Sequence, residues 1–111
     1  MKVLATELSG VVVIEPTVHR DARGFFLETW RESRYREHGI EVPFVQDNHS
    51  RSMRGTLRGL HAQLAPKPMA KLVRCVAGAI FDVAVDLRRG SPSYGGWVGF
   101  ELSPENFRQL F

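Results

Sequence analysis

A series of short strand-like segments separated by turn residues is the feature that most constrains the fold of this chain. After Pro43, strand-type sequence occupies residues 44–52, 55–63, 71–77, 79–88 and 95–102, and residues rich in Gly, Pro and Ser separate the segments. Apolar and polar residues that alternate with a period of two predict strands with one buried face. Several short strands at this spacing, with little helix between them, predict an antiparallel sandwich or barrel.

The first 42 residues predict further strands and one short helix. Residues 11–14 are β-branched and predict a strand, and residues 20–24 predict a turn before the strand-like residues 25–28. Thr29 and Glu32 have the spacing of a capping box, and Gly39 lies where a helix would stop. We therefore expect one short helix over residues 30–38.

The last residues predict a single helical turn followed by a new strand. Ser103 and Pro104 suit the N-cap and first position of a turn. Leu110 and Phe111 have the character of a strand that has just begun, so a truncated chain is expected. We predict one domain over residues 1–111, with N-terminal strands and the helix in 1–42 and barrel strands in 43–111.

The alternation over residues 79–88 predicts that Phe81, Val83, Val85 and Leu87 pack, while the opposite face carries the carboxylates.

The composition excludes several classes of protein. Fifteen Lys and Arg residues are scattered among twelve Asp and Glu residues, which argues against a nucleic-acid surface and for a local anion site. No apolar stretch is long enough to predict a membrane span, and an early charge argues against a secretory signal. A cytoplasmic location is expected. The one cysteine, Cys75, is predicted to be a small core residue in a reducing compartment.

One histidine, several cations and two amides lie close together in the sequence and suggest a site. They are His61, Arg58, Arg74, Lys71, Gln46 and Asn48. An imidazole accepts a proton near neutral pH, and nearby cations suit an anionic ligand or a developing oxyanion. The combination suggests proton abstraction next to a carbonyl.

Two details of spacing qualify this hypothesis. On a straight strand His61 and Arg58 would face opposite sides, so both serve one pocket only if Gly59 allows a bulge or strong twist. A His-x-His pair would be typical of a metal site in such a sheet, and Gln63 stands where the second histidine would be. No metal site is expected.

Many segments, in order and at matching separations, resemble the dTDP-4-dehydrorhamnose 3,5-epimerase family. They are residues 20–28, 46–50, 54–63, 71–74, 81–88, 102–106 and 108–110. The resemblance implies a mainly β, metal-free cupin: a double-stranded jelly-roll barrel, here incomplete at the C-terminus, with one short N-terminal helix. It also implies a homodimer that shares strands, with no nucleic-acid or membrane partner.

The resemblance further implies an activity and a set of roles. The family inverts C3 and C5 of dTDP-4-dehydro-6-deoxyglucose by removing protons next to the C4 ketone, on the way to dTDP-rhamnose, without a cofactor. His61 would be the base and Lys71 would lie near the ketone oxygen. Arg23 and Arg58 would hold the pyrophosphate of the dTDP-sugar. The sugar or nucleotide pocket would be lined by Phe26, Glu28, Gln46 and Asn48.

Some of the family's pattern differs or is missing here. Ala62 stands where the family commonly has an aromatic residue. The tyrosine acid and the aspartate that pairs with the base are expected beyond Phe111. Asp82 is assigned either an orienting role or simple solvation of an outer strand face. Two other functions stay open: an inactive, truncated cupin that only binds a sugar nucleotide, and a related single-carbon epimerase or ketoisomerase.

Overall fold

The computed structural model describes residues 1–111 and shows eight short strands and one helix. The elements are β1 Lys2–Ala5, β2 Val12–Glu15, β3 Val18–Asp21, β4 Gly24–Leu27, α1 Glu32–Arg36, β5 Val73–Arg74, β6 Ile80–Val85, β7 Trp97–Leu102 and β8 Gln109–Leu110. Every strand pair is antiparallel. The chain forms two compact units, one of residues 1–31 with 71–111 and one of residues 32–70.

A four-stranded sheet in the order β1-β2-β8-β5 is the main element of the first unit. The β-branched residues of β2 suit a pleated sheet, and Ile14 is fully buried there. Leu110 of β8 pairs with Val13 on one side and Val73 on the other, which confirms the strand predicted at the end of the sequence. The Arg108 guanidinium donates to Glu15 Oε1 at 2.9 Å and ties the start of β8 to the end of β2.

The core of the first unit lies between this sheet and β7. Val13, Leu102 and Leu110 are its buried members. Partly buried side chains pack around them, namely Val11, Val73, Cys75 and Phe100. Cys75 therefore packs against the core as predicted, and its thiol donates to the Ala77 carbonyl at 3.2 Å.

Strands β6 and β7 form a hairpin, and its faces differ from the prediction. Phe81 is 66% exposed and Leu87 is 55% exposed, whereas Asp86 is buried. The Phe81 ring lies over Gly99 of β7, where an added Cβ would be 2.4 Å from the ring, so it covers a glycine instead of entering the core. Strand β6 ends at Val85, and its alternation does not extend into the loop that turns Asp86 inward.

Helix α1 of the second unit is shorter than predicted but ends where expected. It covers Glu32–Arg36, and Arg36 donates to Glu32 one turn earlier at 2.6 Å. Gly39 has a φ of 82°. The Gly39 N–H donates to the Arg36 carbonyl and the Ile40 N–H to the Tyr35 carbonyl, which is the Schellman pattern of helix termination.

The strands predicted over residues 44–52 and 55–63 are absent, and that prediction was wrong. Every residue from 45 to 71 is exposed, and the hydrogen bonds of residues 45–70 join residues no more than seven apart. Alternation fixes which side chains share a face, but a strand also needs a partner for its backbone. Residues 45–71 make no such ladder in this structure. The three later strands exist but are shorter than predicted.

Candidate functional site

The β3–β4 hairpin brings Arg23 and Phe26 to one surface recess of about 340 Å³. Asp21 shapes the turn, because its Oδ1 accepts from the Arg23 N–H at 2.8 Å while its Oδ2 pairs with the guanidinium at 2.6 Å. The Arg23 guanidinium is the main reason that the pKa of Asp21 lies below its usual range. Arg23 and Phe26 both remain strongly exposed, so a cation and an aromatic face are presented together.

Glu28 follows the same hairpin and is only partly exposed. Its Oε2 pairs with Arg31 Nε at 2.8 Å. The carboxylate is thus held close to the end of β4, on the same stretch of chain as Phe26.

Lys71 and Asp82 are electrostatically coupled in the first unit. Asp82 lies on β6 and is partly buried, and burial is the largest cause of the rise in its pKa. A hydrogen bond from the Val83 backbone and the positive charge of Lys71 both act in the opposite direction. The charge of Lys71 therefore partly offsets the effect of burial on the Asp82 carboxyl, and the orienting role considered for Asp82 stays a prediction.

The second unit carries the other four predicted site residues on exposed, non-strand chain. Gln46 Nε2 donates to Asn48 Oδ1 at 3.1 Å, so these two amides lie together. The Arg58 guanidinium reaches the Arg51 carbonyl at 3.4 Å, and His61 is exposed.

A bulge or strong twist at Gly59 was expected only on the assumption that residues 55–63 form a strand. These residues are not a strand, so that expectation does not apply. Gly59 has a φ of 122°, and a Cβ there would be 3.4 Å from His61 Nδ1. A left-handed backbone conformation of this kind favours glycine, so Gly59 fixes the course of the chain next to the imidazole.

Sequence reasoning missed a cluster of side chains beside the first-unit hairpin. Arg20 and Phe25 are direct cross-strand partners, and both contact Phe107 from the turn before β8. The sequence predicted a turn over residues 20–24, whereas in the structure Arg20 lies in β3, opposite Phe25. The contact with Phe107 is not readable from the pattern, because it joins distant parts of the sequence.

Two further observations concern the whole chain. No group of three or more His, Cys, Asp or Glu side chains is placed to hold a metal ion. The one helix has five residues, and no helix has the length and apolar character needed to cross a membrane.

Comparisons with known proteins agree on one family. A family model described as dTDP-4-dehydrorhamnose 3,5-epimerase matches residues 5–111. A protein of that description from Shigella flexneri is 54% identical over an alignment of 112 positions, which covers 100% of this chain and 62% of that protein. This chain therefore spans about three fifths of the length of that relative.

Solved structures give the same result. The dTDP-6-deoxy-D-glucose-3,5-epimerase of Legionella pneumophila, in complex with dTDP-4-keto-L-rhamnose, matches with a TM-score of 0.93 and 50% identity over 98% of this chain and 58% of that one. A 3′-monoepimerase from Streptomyces bikiniensis, in complex with dTDP-quinovose, matches with a TM-score of 0.87 and 35% identity over 96% and 55% of the two chains. The prediction of a mainly β, cupin-type fold with one short helix is confirmed.

Proposed function

Since this chain belongs to the dTDP-4-dehydrorhamnose 3,5-epimerase family, we propose that it acts in the inversion of C3 and C5 of dTDP-4-dehydro-6-deoxyglucose. The product is dTDP-4-dehydrorhamnose, the precursor of dTDP-rhamnose. The observation that carries the proposal is the family match over residues 5–111, a range that contains every residue to which we give a role.

His61 is the proposed base. Protons on C3 and C5 are acidified by the C4 ketone between them, so one imidazole can remove each in turn to form an enolate. An exposed histidine on non-strand chain is reachable by a substrate. Lys71 is the proposed partner of the enolate oxygen, since a cation placed where negative charge develops stabilises the transition state. Lys71 is exposed and is therefore reachable by the substrate.

The remaining residues are proposed to bind the dTDP part and the sugar. Arg23 and Arg58 suit the pyrophosphate, because a guanidinium donates two parallel hydrogen bonds to such oxygens. Phe26, at 72% exposure, offers a face for the base or sugar. Glu28, Gln46 and Asn48 supply acceptors and donors for hydroxyl groups.

We further propose that the protein works as a homodimer in the cytoplasm. Large apolar side chains are exposed on the second unit, at Val45, Met53, Leu57, Leu60 and Leu64. Apolar surface of this extent marks sites of association. The prediction that residues 1–111 form a single cupin domain stays a prediction.

Deuterium incorporation tests the proposed chemistry. The purified chain is incubated with dTDP-4-dehydro-6-deoxyglucose in deuterated water, and label at C3 and C5 is followed by NMR. We expect His61→Ala to slow labelling by about 10²–10⁴-fold, the usual contribution of a general base. His49→Ala removes another exposed histidine of the same unit and should leave the rate unchanged. Labelling by the parent chain no faster than by His61→Ala would refute the proposal.

Lys71 is tested in the same assay. Lys71→Met should reduce labelling by about 10²–10³-fold, as removal of an oxyanion donor does. Lys67→Met removes a neighbouring exposed lysine and serves as the matched control. Equal rates for the two variants would contradict the role of Lys71.

A second candidate function is inversion of one carbon only. The similarity to the 3′-monoepimerase favours it. Label at C3 without label at C5 would establish this alternative. Saturable binding of dTDP without labelling at either carbon would instead show that the chain binds the nucleotide but is inactive.

A further inference from the structure

We propose that Phe107, together with Arg20, is a positioning residue that holds the β3–β4 hairpin so that Arg23 and Phe26 meet the nucleotide. This inference rests on the proposed function, since it gives Arg23 and Phe26 their binding roles. Neither the sequence pattern nor the family resemblance assigned a role to Phe107 or Arg20.

The hairpin needs an anchor outside itself. Strands β3 and β4 form a two-stranded sheet and pair only with each other. An isolated two-stranded hairpin is marginally stable in water. Its tip nevertheless carries Arg23, whose position matters for an anionic ligand, so another part of the chain has to fix its place.

Phe107 supplies that anchor on one face of the hairpin. Its ring meets the Phe25 ring edge to face, with centroids 4.8 Å apart and planes at 71°. The Arg20 guanidinium lies over both rings, 5.8 Å from the Phe25 centroid and 5.2 Å from that of Phe107. Aromatic pairs and cation–π contacts at these distances are attractive.

Phe26 lies on the opposite face of the hairpin and is 72% exposed. Arg20 and Phe25 are direct partners across the two strands, and the adjacent pair is His19 with Phe26. Successive side chains of a strand point to opposite faces, so the Phe107 contact and the Phe26 ring use different sides. Contact of Phe107 with one face of the hairpin therefore leaves the Phe26 side chain, on the other face, available to a ligand.

The backbone of Phe107 is fixed by the hydrogen bonds of its turn. Its φ is 56°, a left-handed conformation that a bulky residue adopts only when its surroundings impose it. Asn106 Oδ1 accepts from the N–H groups of Ser103 and Arg108 on either side, and the Phe107 N–H donates to the Ser103 carbonyl at 2.9 Å. The turn thus aims the ring at the hairpin instead of into the core.

The test measures dTDP affinity and hairpin order in the 111-residue chain. Phe107→Ala should weaken dTDP binding by about tenfold in a calorimetric titration, and Arg20→Gln by about threefold. Phe107→Tyr keeps the ring and should restore the parental affinity. Tyr94→Ala removes an exposed aromatic ring from the β6–β7 loop and should leave affinity unchanged.

A second readout separates positioning from general stability. Without ligand, Phe107→Ala should lower the ¹H–¹⁵N heteronuclear NOE of the hairpin-tip amides 22–24, while the amides of β6 and β7 keep theirs. If Phe107→Ala does not fold, Phe107→Leu keeps apolar volume without the ring and takes its place.

The outcomes distinguish this inference from the function on which it rests. A parent chain that binds dTDP while Phe107→Ala binds it equally well overturns the positioning role alone. A parent chain that does not bind dTDP overturns both the nucleotide-binding function and this inference. Weaker binding with an unchanged hairpin NOE also overturns the positioning role, because the loss would then come from elsewhere.

Discussion

The β6–β7 loop and residues 45–71 are both turn-rich stretches of chain outside the strands, yet they differ in where their polar groups find partners. In the loop, the Asp86 side chain is 1% exposed and accepts from the Arg88 guanidinium and from the hydroxyls of Ser91 and Ser93. Residues 45–71 are exposed throughout. The loop carries its own partners in its sequence, whereas the longer stretch needs backbone from elsewhere to become strands.

Hydrogen exchange should show the largest contrast between the two regions. We expect backbone amides paired between β6 and β7 to exchange at least ~100-fold more slowly than those of residues 45–71, because paired amides exchange only when the structure opens. Exchange of each amide is followed by NMR after transfer into deuterated water. Comparable protection in residues 45–71 would show that this stretch has ladder partners in solution, and the comparison would fail.

Matched leucine truncations give the next largest effect. Leu102 is fully buried at the end of β7, whereas Leu57 is 89% exposed. Leu102→Ala should lower the free energy of unfolding by about 2–5 kcal/mol, since it leaves a cavity in the core. Leu57→Ala should change it by less than about 0.5 kcal/mol. Urea denaturation measures both, and a large cost for Leu57→Ala would mean that this side chain is covered in solution.

The two regions also mark what the sequence could and could not predict. Gly39 and Ser103 were correctly predicted to end a helix and to begin a turn, because both act through neighbouring backbone groups. The strands that form β6 and β7 were predicted because the pattern of each lies within contiguous residues. Strands at 44–52 and 55–63 were not confirmed, because the side-chain pattern says nothing about whether a partner strand is present.

Contacts in the candidate site also divide into those between residues near in sequence and those that depend on tertiary folding. The pairs Arg23 with Phe26 and Gln46 with Asn48 lie close because they are near in sequence. The coupling of Lys71 to Asp82 and the contact of Phe107 with the hairpin depend on tertiary folding. The first kind of neighbour is readable from spacing, and the second requires the structure.

Asp86→Asn should destabilise the β6–β7 loop in a pH-dependent way. Hydrogen bonds from Arg88 and the two serines hold the pKa of Asp86 far below its usual range. Its contribution to stability is therefore present above the unfolded pKa, near 3.8, and is lost as the pH falls toward the folded value. We expect the Tm at pH 7 to fall by several degrees, and the difference from the parent to shrink below pH 4.

Asp47→Asn, in the exposed stretch, should leave Tm unchanged at both pH values. A pH-independent loss would mean that shape, not charge, accounts for the effect.

Asp82→Asn should have the smallest effect and the opposite sign. Burial raises the pKa of Asp82, so the folded state disfavours the carboxylate, and its stability penalty appears as the pH rises from the unfolded pKa through the folded one. The neutral amide removes this penalty. We therefore expect a small rise in the free energy of unfolding at pH 7 and none near pH 3, by urea denaturation at both pH values.

Lys71→Met should raise the Asp82 pKa further in a carboxyl NMR titration, because it removes the charge that opposes burial. An unchanged Asp82 pKa in Lys71→Met would show that the charge of Lys71 does not act on this carboxyl.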